Sequence, residues 1–154
     1  MTTAQPGPVD DFSDLERETL RCVLRHMIPA SAELGVPGAD DPLIFADILR
    51  SIQRDRWRVG EALRVIDALC GGGLAGLADS DQEKCLSEFR TRHPDLSGIL
   101  ESAAARCYYR DDRVMASIGM EARPPFPLGY EVDQGDWSLL DPVRARGRIY
   151  RDAS

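Results

Sequence analysis

The sequence predicts an all-α protein: a single small helical domain of five to six helices with an extended, proline- and aromatic-rich C-terminal tail. Three observations carry this. Apolar residues recur at spacings of three and four from Ser13 to about residue 120. Cap-forming serines and aspartates stand just before those periodic runs, and no run alternates as a half-buried strand would. Beyond Gly119 the period stops, and Pro124, Pro125 and Pro127 exclude regular helix or sheet there. The chain therefore divides into a flexible lead (1–12), a helical domain (13–120) and an extended tail (121–154).

Ser13 to Glu16 read S-D-L-E, a capping box that opens the first helix. Leu15, Thr19, Cys22, Val23, His26 and Met27 give it an inner face, and Pro29 ends it near Ile28. A loop with Gly35, Pro37 and Gly38 follows. Asp41 then caps a second helix with Pro42 at its first position, striped by Phe45, Ile48, Leu49 and Ile52. The third helix runs from about Asp55 to Cys70, its buried side lined by Trp57, Leu63, Ile66 and Leu69. Gly71, Gly72 and Gly73 stop it. Ser80 to Glu83 read as a second capping box for a fourth helix carrying Cys85, Leu86 and Phe89 and ending before Pro94. A fifth helix covers roughly Leu96 to Tyr109. Asp111 or Asp112 starts a short sixth that closes at Gly119, and Asp141–Pro142 opens a last turn.

A chain of 154 residues suits one core. A net charge of −7 argues against nucleic acid and against anionic membrane, because phosphate surfaces need a basic partner. No apolar run approaches the length of a membrane span, so no membrane contact is expected. The N-terminus MTTAQPGPVDDFSD lacks a basic start and an apolar stretch, and no Arg-Arg pair occurs. The expected location is cytoplasmic, or periplasmic if a presequence is removed or a partner carries the export signal. Cys22, Cys70, Cys85 and Cys107 lie far apart, which excludes a zinc-type pair. Placed on helical faces, they read as buried free thiols in a reducing compartment, with two disulfides as the alternative.

No catalytic constellation emerges. Gly71 to Gly76 satisfy G-x-G-x-x-G, but they follow a helical pattern rather than a strand, so a helix stop explains them better than a nucleotide site. His26 and His93 lack neighbouring metal ligands. His26 suits a hydrogen-bonded structural role, and His93 an exposed loop. The paired acids Asp40-Asp41 and Asp111-Asp112 are explained by capping. No metal or cofactor is expected in the chain itself.

The tail offers a different function. Six of the ten aromatics lie between Tyr108 and Tyr150. Residues 1–47 hold nine acids and three arginines, whereas 141–151 hold four arginines and one acid. Large aromatics and arginines anchor protein interfaces. Tyr108, Tyr109, Phe126, Tyr130, Trp137, Arg144, Arg146, Arg148 and Tyr150 are therefore the candidate partner-binding residues, although packing alone would also account for the adjacent tyrosines.

One further pattern runs through the chain. The first helix ends in LRHMIPA (24–30). A loop with Gly35, Val36, Gly38 and Ala39 leads into PLIFADILRSI. Phe89, the pair Tyr108-Tyr109 with Asp111 or Asp112, Ile118-Gly119, Pro125, Gly129-Tyr130 and the tail LLDPVRARGRIYR follow in order. This order resembles the gluconate 2-dehydrogenase subunit 3 family, the small subunits of bacterial flavin-dependent dehydrogenases. The resemblance implies a non-catalytic subunit. It would bind and stabilise a large glucose-methanol-choline (GMC) type oxidoreductase that holds FAD and oxidises a sugar, sugar acid or other alcohol. Some such assemblies add a cytochrome subunit. Many members begin with a twin-arginine signal, and here this chain departs. An assembly chaperone for the same flavoprotein is the alternative, and a self-sufficient small enzyme using His26, a cysteine and an acid is the rival from another class.

Overall fold

A computed structural model describes residues 12–122, 129 and 135–147. The chain divides into two compact units, Met1–Ala122 and Arg123–Ser154. Among the described residues there are seven α-helices and no strand beyond a single bridge between Ser31 and Val36. The all-α expectation holds.

The first unit contains α1 (Asp14–Met27), α2 (Pro42–Ser51), α3 (Arg56–Leu69), α4 (Asp79–Arg92), α5 (Pro94–Tyr108) and α6 (Asp112–Ser117). The Ser13 box forms as read: the Glu16 amide donates to Ser13 Oγ at 3.3 Å, and the Ser13 amide donates to Glu16 Oε2 at 2.9 Å. Asp41 caps α2 by accepting from the Leu43 amide at 3.0 Å. At the centre lies α3, which packs against α1, α4 and α5, while α2 covers α5. Val59, Ala62, Leu63 and Ile66 of α3 are wholly excluded from water. Each large aliphatic chain so buried contributes about 1.5–3 kcal/mol.

Several expectations are corrected. Trp57 does not line the buried side of α3; it is 68% exposed. It stands two residues before Val59, about 200° around a helix of 3.6 residues per turn, so burying Val59 turns the indole outward. Leu15 is also exposed, one turn beyond the inner face that begins at Thr19. The Ser80 capping box does not form. The Ala78 carbonyl accepts from the Asp81 and Gln82 amides, so α4 starts at Asp79 and encloses Ser80 and Glu83. The fifth helix begins at Pro94 rather than Leu96, because proline at the first helical position has no amide hydrogen to lose. His93 joins α4 to α5 and is half-buried, its ring stacked on Phe89 at 5.9 Å.

Two loops need glycine. Gly38 packs so closely that a Cβ would come within 3.0 Å of the Ala30 nitrogen and 3.2 Å of the Ile28 carbonyl oxygen. Gly71, Gly72 and Gly73 all take positive φ (74°, 96° and 84°), which swings the chain off α3 into a short 3-10 turn, Leu74–Gly76. That turn drives Leu74 into the core.

The buried amide of Gln82 joins this turn to α1. Its Oε1 accepts from Arg25 Nη2 at 2.9 Å and the Cys22 thiol at 3.1 Å, and lies 2.8 Å from His26 Nε2. Its Nε2 donates to the carbonyl of Leu77 at 2.9 Å. His26 thus has the hydrogen-bonded structural role its position suggests.

The cysteines overturn the expectation of four free thiols. Cys70 and Cys85 form a disulfide across the triglycine loop, while Cys22 and Cys107 are free and buried. The reason is three-dimensional: the turn brings the end of α3 beside the second turn of α4, a pairing that spacing alone does not reveal.

Closing a loop with a sequence separation of 15 removes unfolded-state entropy worth about 3 kcal/mol. Thiol counting in denaturant without reductant should therefore find two thiols. Cys70→Ser should lower the urea unfolding free energy by about 2–4 kcal/mol. A count of four would show that the bridge does not form.

Candidate partner-binding surface

The nine sequence-predicted positions fall into three groups. Tyr108 is a core residue, only 5% exposed, and its hydroxyl donates to the Pro37 carbonyl at 3.1 Å. Burial raises its hydroxyl pKa, with smaller contributions from Tyr109 and Asp111. Its ring is spent on holding the 31–41 loop against α5, so it does not present a partner-binding face. Tyr109 is exposed and meets Tyr108 edge-on at 5.3 Å. It stands on the rim of an open groove of about 630 Å³ between α1, α4 and α5, lined by Val23, Met27, Leu86 and Phe89.

The second group lies in the Arg123–Ser154 unit. Asp136 accepts from the Ser138 amide at 3.0 Å and starts a 3-10 turn, Trp137–Leu140, which continues into α7 (Asp141–Ala145). The Ser138 side-chain and backbone hydrogen bonds hold the Asp136 carboxyl below the usual range. Trp137 is 62% exposed, and Leu139, Leu140 and Val143 are exposed with it. Arg144 pairs with Asp141 at 3.1 Å, and Arg146 is exposed. These six side chains share one short segment. The leucines and Val143 escaped sequence reasoning because aromatics dominated the reading; their place in the LLDPV run was the available signal. Phe126, Tyr130, Arg148 and Tyr150 lie outside the described residues.

The remaining chemistry is structural. Cys22 and His26 both approach Gln82 instead of pairing with each other. Burial pushes the Cys22 and Cys107 thiols up, which keeps them protonated and poor as nucleophiles. The glycine fingerprint follows α3, a helix rather than a strand, and its last three residues form a 3-10 turn instead of opening a helix. Among the described residues no group of three or more potential ligands could hold a metal ion.

The corner where α2 and α6 begin is clamped by charge. Arg113 donates to both oxygens of Asp41, at 3.1 and 2.8 Å, and to both of Asp111, at 2.9 Å each. Asp41 caps α2 and Asp111 caps α6, so one guanidinium ties two helix starts together. Its hydrogen bonds hold both carboxyls below their ordinary values. At Asp47 burial works against the charge, but the pairing with Arg110 and Arg50 together outweighs it and lowers the pKa.

Because Asp41 and Asp111 titrate below their unfolded values, their stabilisation is complete above about pH 4 and is lost as pH falls through the folded values. Arg113→Ala should return both carboxyls toward normal and move acid unfolding to higher pH. At neutral pH the same change should cost only about 1 kcal/mol, since the guanidinium is partly solvated. Circular dichroism against pH checks this, and an unmoved acid midpoint would refute the clamp.

Comparison with protein-family models, with curated proteins and with solved structures finds no match for the chain.

Proposed function

We propose that the chain is a non-catalytic helical subunit that binds and stabilises a large FAD-dependent GMC-type oxidoreductase acting on a sugar, sugar acid or other alcohol. The observation that carries the reading is the exposed set Trp137, Leu139, Leu140 and Val143, on a segment that also bears Arg144 and Arg146. Solvent-facing apolar side chains with arginine in the same segment have the composition of an interface centre. The resemblance to gluconate 2-dehydrogenase subunit 3 supplies the class of partner, and with it the FAD. A cytochrome subunit belongs to the same proposal. The assembly-chaperone reading uses the same surface and differs only in whether the chain stays bound. The small-enzyme rival is disfavoured by its own parts, since two cysteines are bridged and the other two are held protonated.

Among the described residues no helix is long and apolar enough to cross a membrane. The Cys70–Cys85 bridge supports an oxidising compartment over the reducing cytoplasm expected from the thiols, and we place the complex there.

A large GMC-type flavoprotein encoded in the same genome, co-expressed with the chain, should co-purify with it and hold all the flavin. Trp137→Ala should weaken the complex by about 2 kcal/mol or more, as truncation of a central aromatic does. A chain ending at Ala122 should keep its helical circular dichroism yet fail to co-purify. Full-strength co-purification of that shortened chain would place the interface on the helices. Stoichiometric flavin retained by the isolated chain would overturn the accessory role.

A further inference from the structure

The corner between α2 and α3 carries a second surface, within the Met1–Ala122 unit and independent of the tail. Trp57 projects there, 68% exposed. Residues 50–64 hold five arginines against only Asp55 and Glu61. Among the described residues, Arg54, Arg56, Arg58 and Arg64 have no carboxylate partner, whereas nearby Arg50 pairs with Asp47. The Arg58 guanidinium lies 5.9 Å from the centre of the Trp57 ring, and Arg56 stacks over Phe12 at 5.1 Å. Helical spacing puts Trp57, Glu61 and Arg64 on one outward stripe of α3. Even with Asp55 and Glu61 counted, this segment carries a net charge of +3 around an exposed indole, in a chain of net charge −7.

We propose that this corner docks an acidic protein surface whose carboxylates meet the arginine forks and whose apolar pocket takes the Trp57 indole. Charge complementarity selects the occupant. Guanidinium groups match carboxylates in bidentate geometry, and tryptophan with arginine is the composition of an interface centre. A nucleic acid is an extended polyanion, which the rest of this acidic surface repels. A carboxylate patch on a protein acts locally, within a screening length of about 8 Å, where the arginines prevail. An anionic bilayer would gain only one indole of apolar area, too little to hold the chain.

The test uses the full chain with Trp137→Phe, so that Trp57 is the sole emitting indole. The probe is an amphipathic peptide of glutamate and leucine at helical spacing. Titration should blue-shift the emission saturably, and the affinity should fall as salt rises from about 50 to about 300 mM. Arg54→Ser with Arg64→Ser, both at exposed positions, should weaken binding about tenfold or more while leaving the melting curve unchanged. A single-stranded oligonucleotide and phosphatidylcholine vesicles containing phosphatidylserine should leave the emission unmoved. The proposal is overturned if the peptide produces no shift, if its binding ignores salt and the two substitutions, or if the oligonucleotide or the vesicles bind more tightly than the peptide.

Discussion

The buried amide of Gln82 is the junction on which the rest of the helical unit depends. Its oxygen gathers Arg25, His26 and the Cys22 thiol from a single face of α1, and its nitrogen reaches back to the turn that precedes α4. A polar group at 2% exposure is stable only when its hydrogen bonds are met, and leaving one unmet costs about 1–3 kcal/mol. The network therefore fixes more than a contact. It ties α1 to the start of α4, holds the turn that buries Leu74, and orients the His26 ring. The apolar core around α3 supplies most of the stabilisation, but apolar packing tolerates sliding, and directional bonds to one amide do not.

Much of this architecture is legible in the sequence because local chemistry and global packing agree. Ser13 and Glu16, or Asp41 and Pro42, announce a helix start through interactions that span only a few residues. The stripe Phe45, Ile48 and Ile52 survives because one period governs both the helix and its burial. Reading fails where a distant partner decides. The Ser80 box obeys the capping rule, but the Ala78 carbonyl takes the first helical bonds and the rule has nothing left to explain. Trp57 is hydrophobic and sits in a helix, and only the phase set by Val59 shows that it faces water. Tyr108 looks like half of an aromatic pair; the Pro37 carbonyl, remote in sequence, makes it a core residue. The Cys70–Cys85 bridge was hidden for the same reason. Of the candidate interface, Trp137 and the arginines were visible as composition, whereas the aliphatic side chains exposed beside them needed coordinates.

Arginine has three distinct roles in this chain. Arg113 is consumed internally, its fork filled by two capping carboxylates. Arg56 and Arg58 lie over aromatic rings, where a guanidinium keeps its charge and still covers apolar surface. Arg54 and Arg64 face water with no carboxylate among the described residues. Residue type alone does not separate the three. What separates them is whether a carboxylate, an aromatic ring or neither lies within reach.

The disulfide also changes what a broken backbone would mean. Gly71 and Gly72 are exposed and lack side chains that could obstruct a protease, so the loop they begin is an accessible cutting site. Because Cys70 and Cys85 bracket it, a cut anywhere between Gly71 and Lys84 leaves both fragments joined as one molecule. The nicked protein would keep an unaltered apparent size on a denaturing gel, and its two pieces would separate only after reduction.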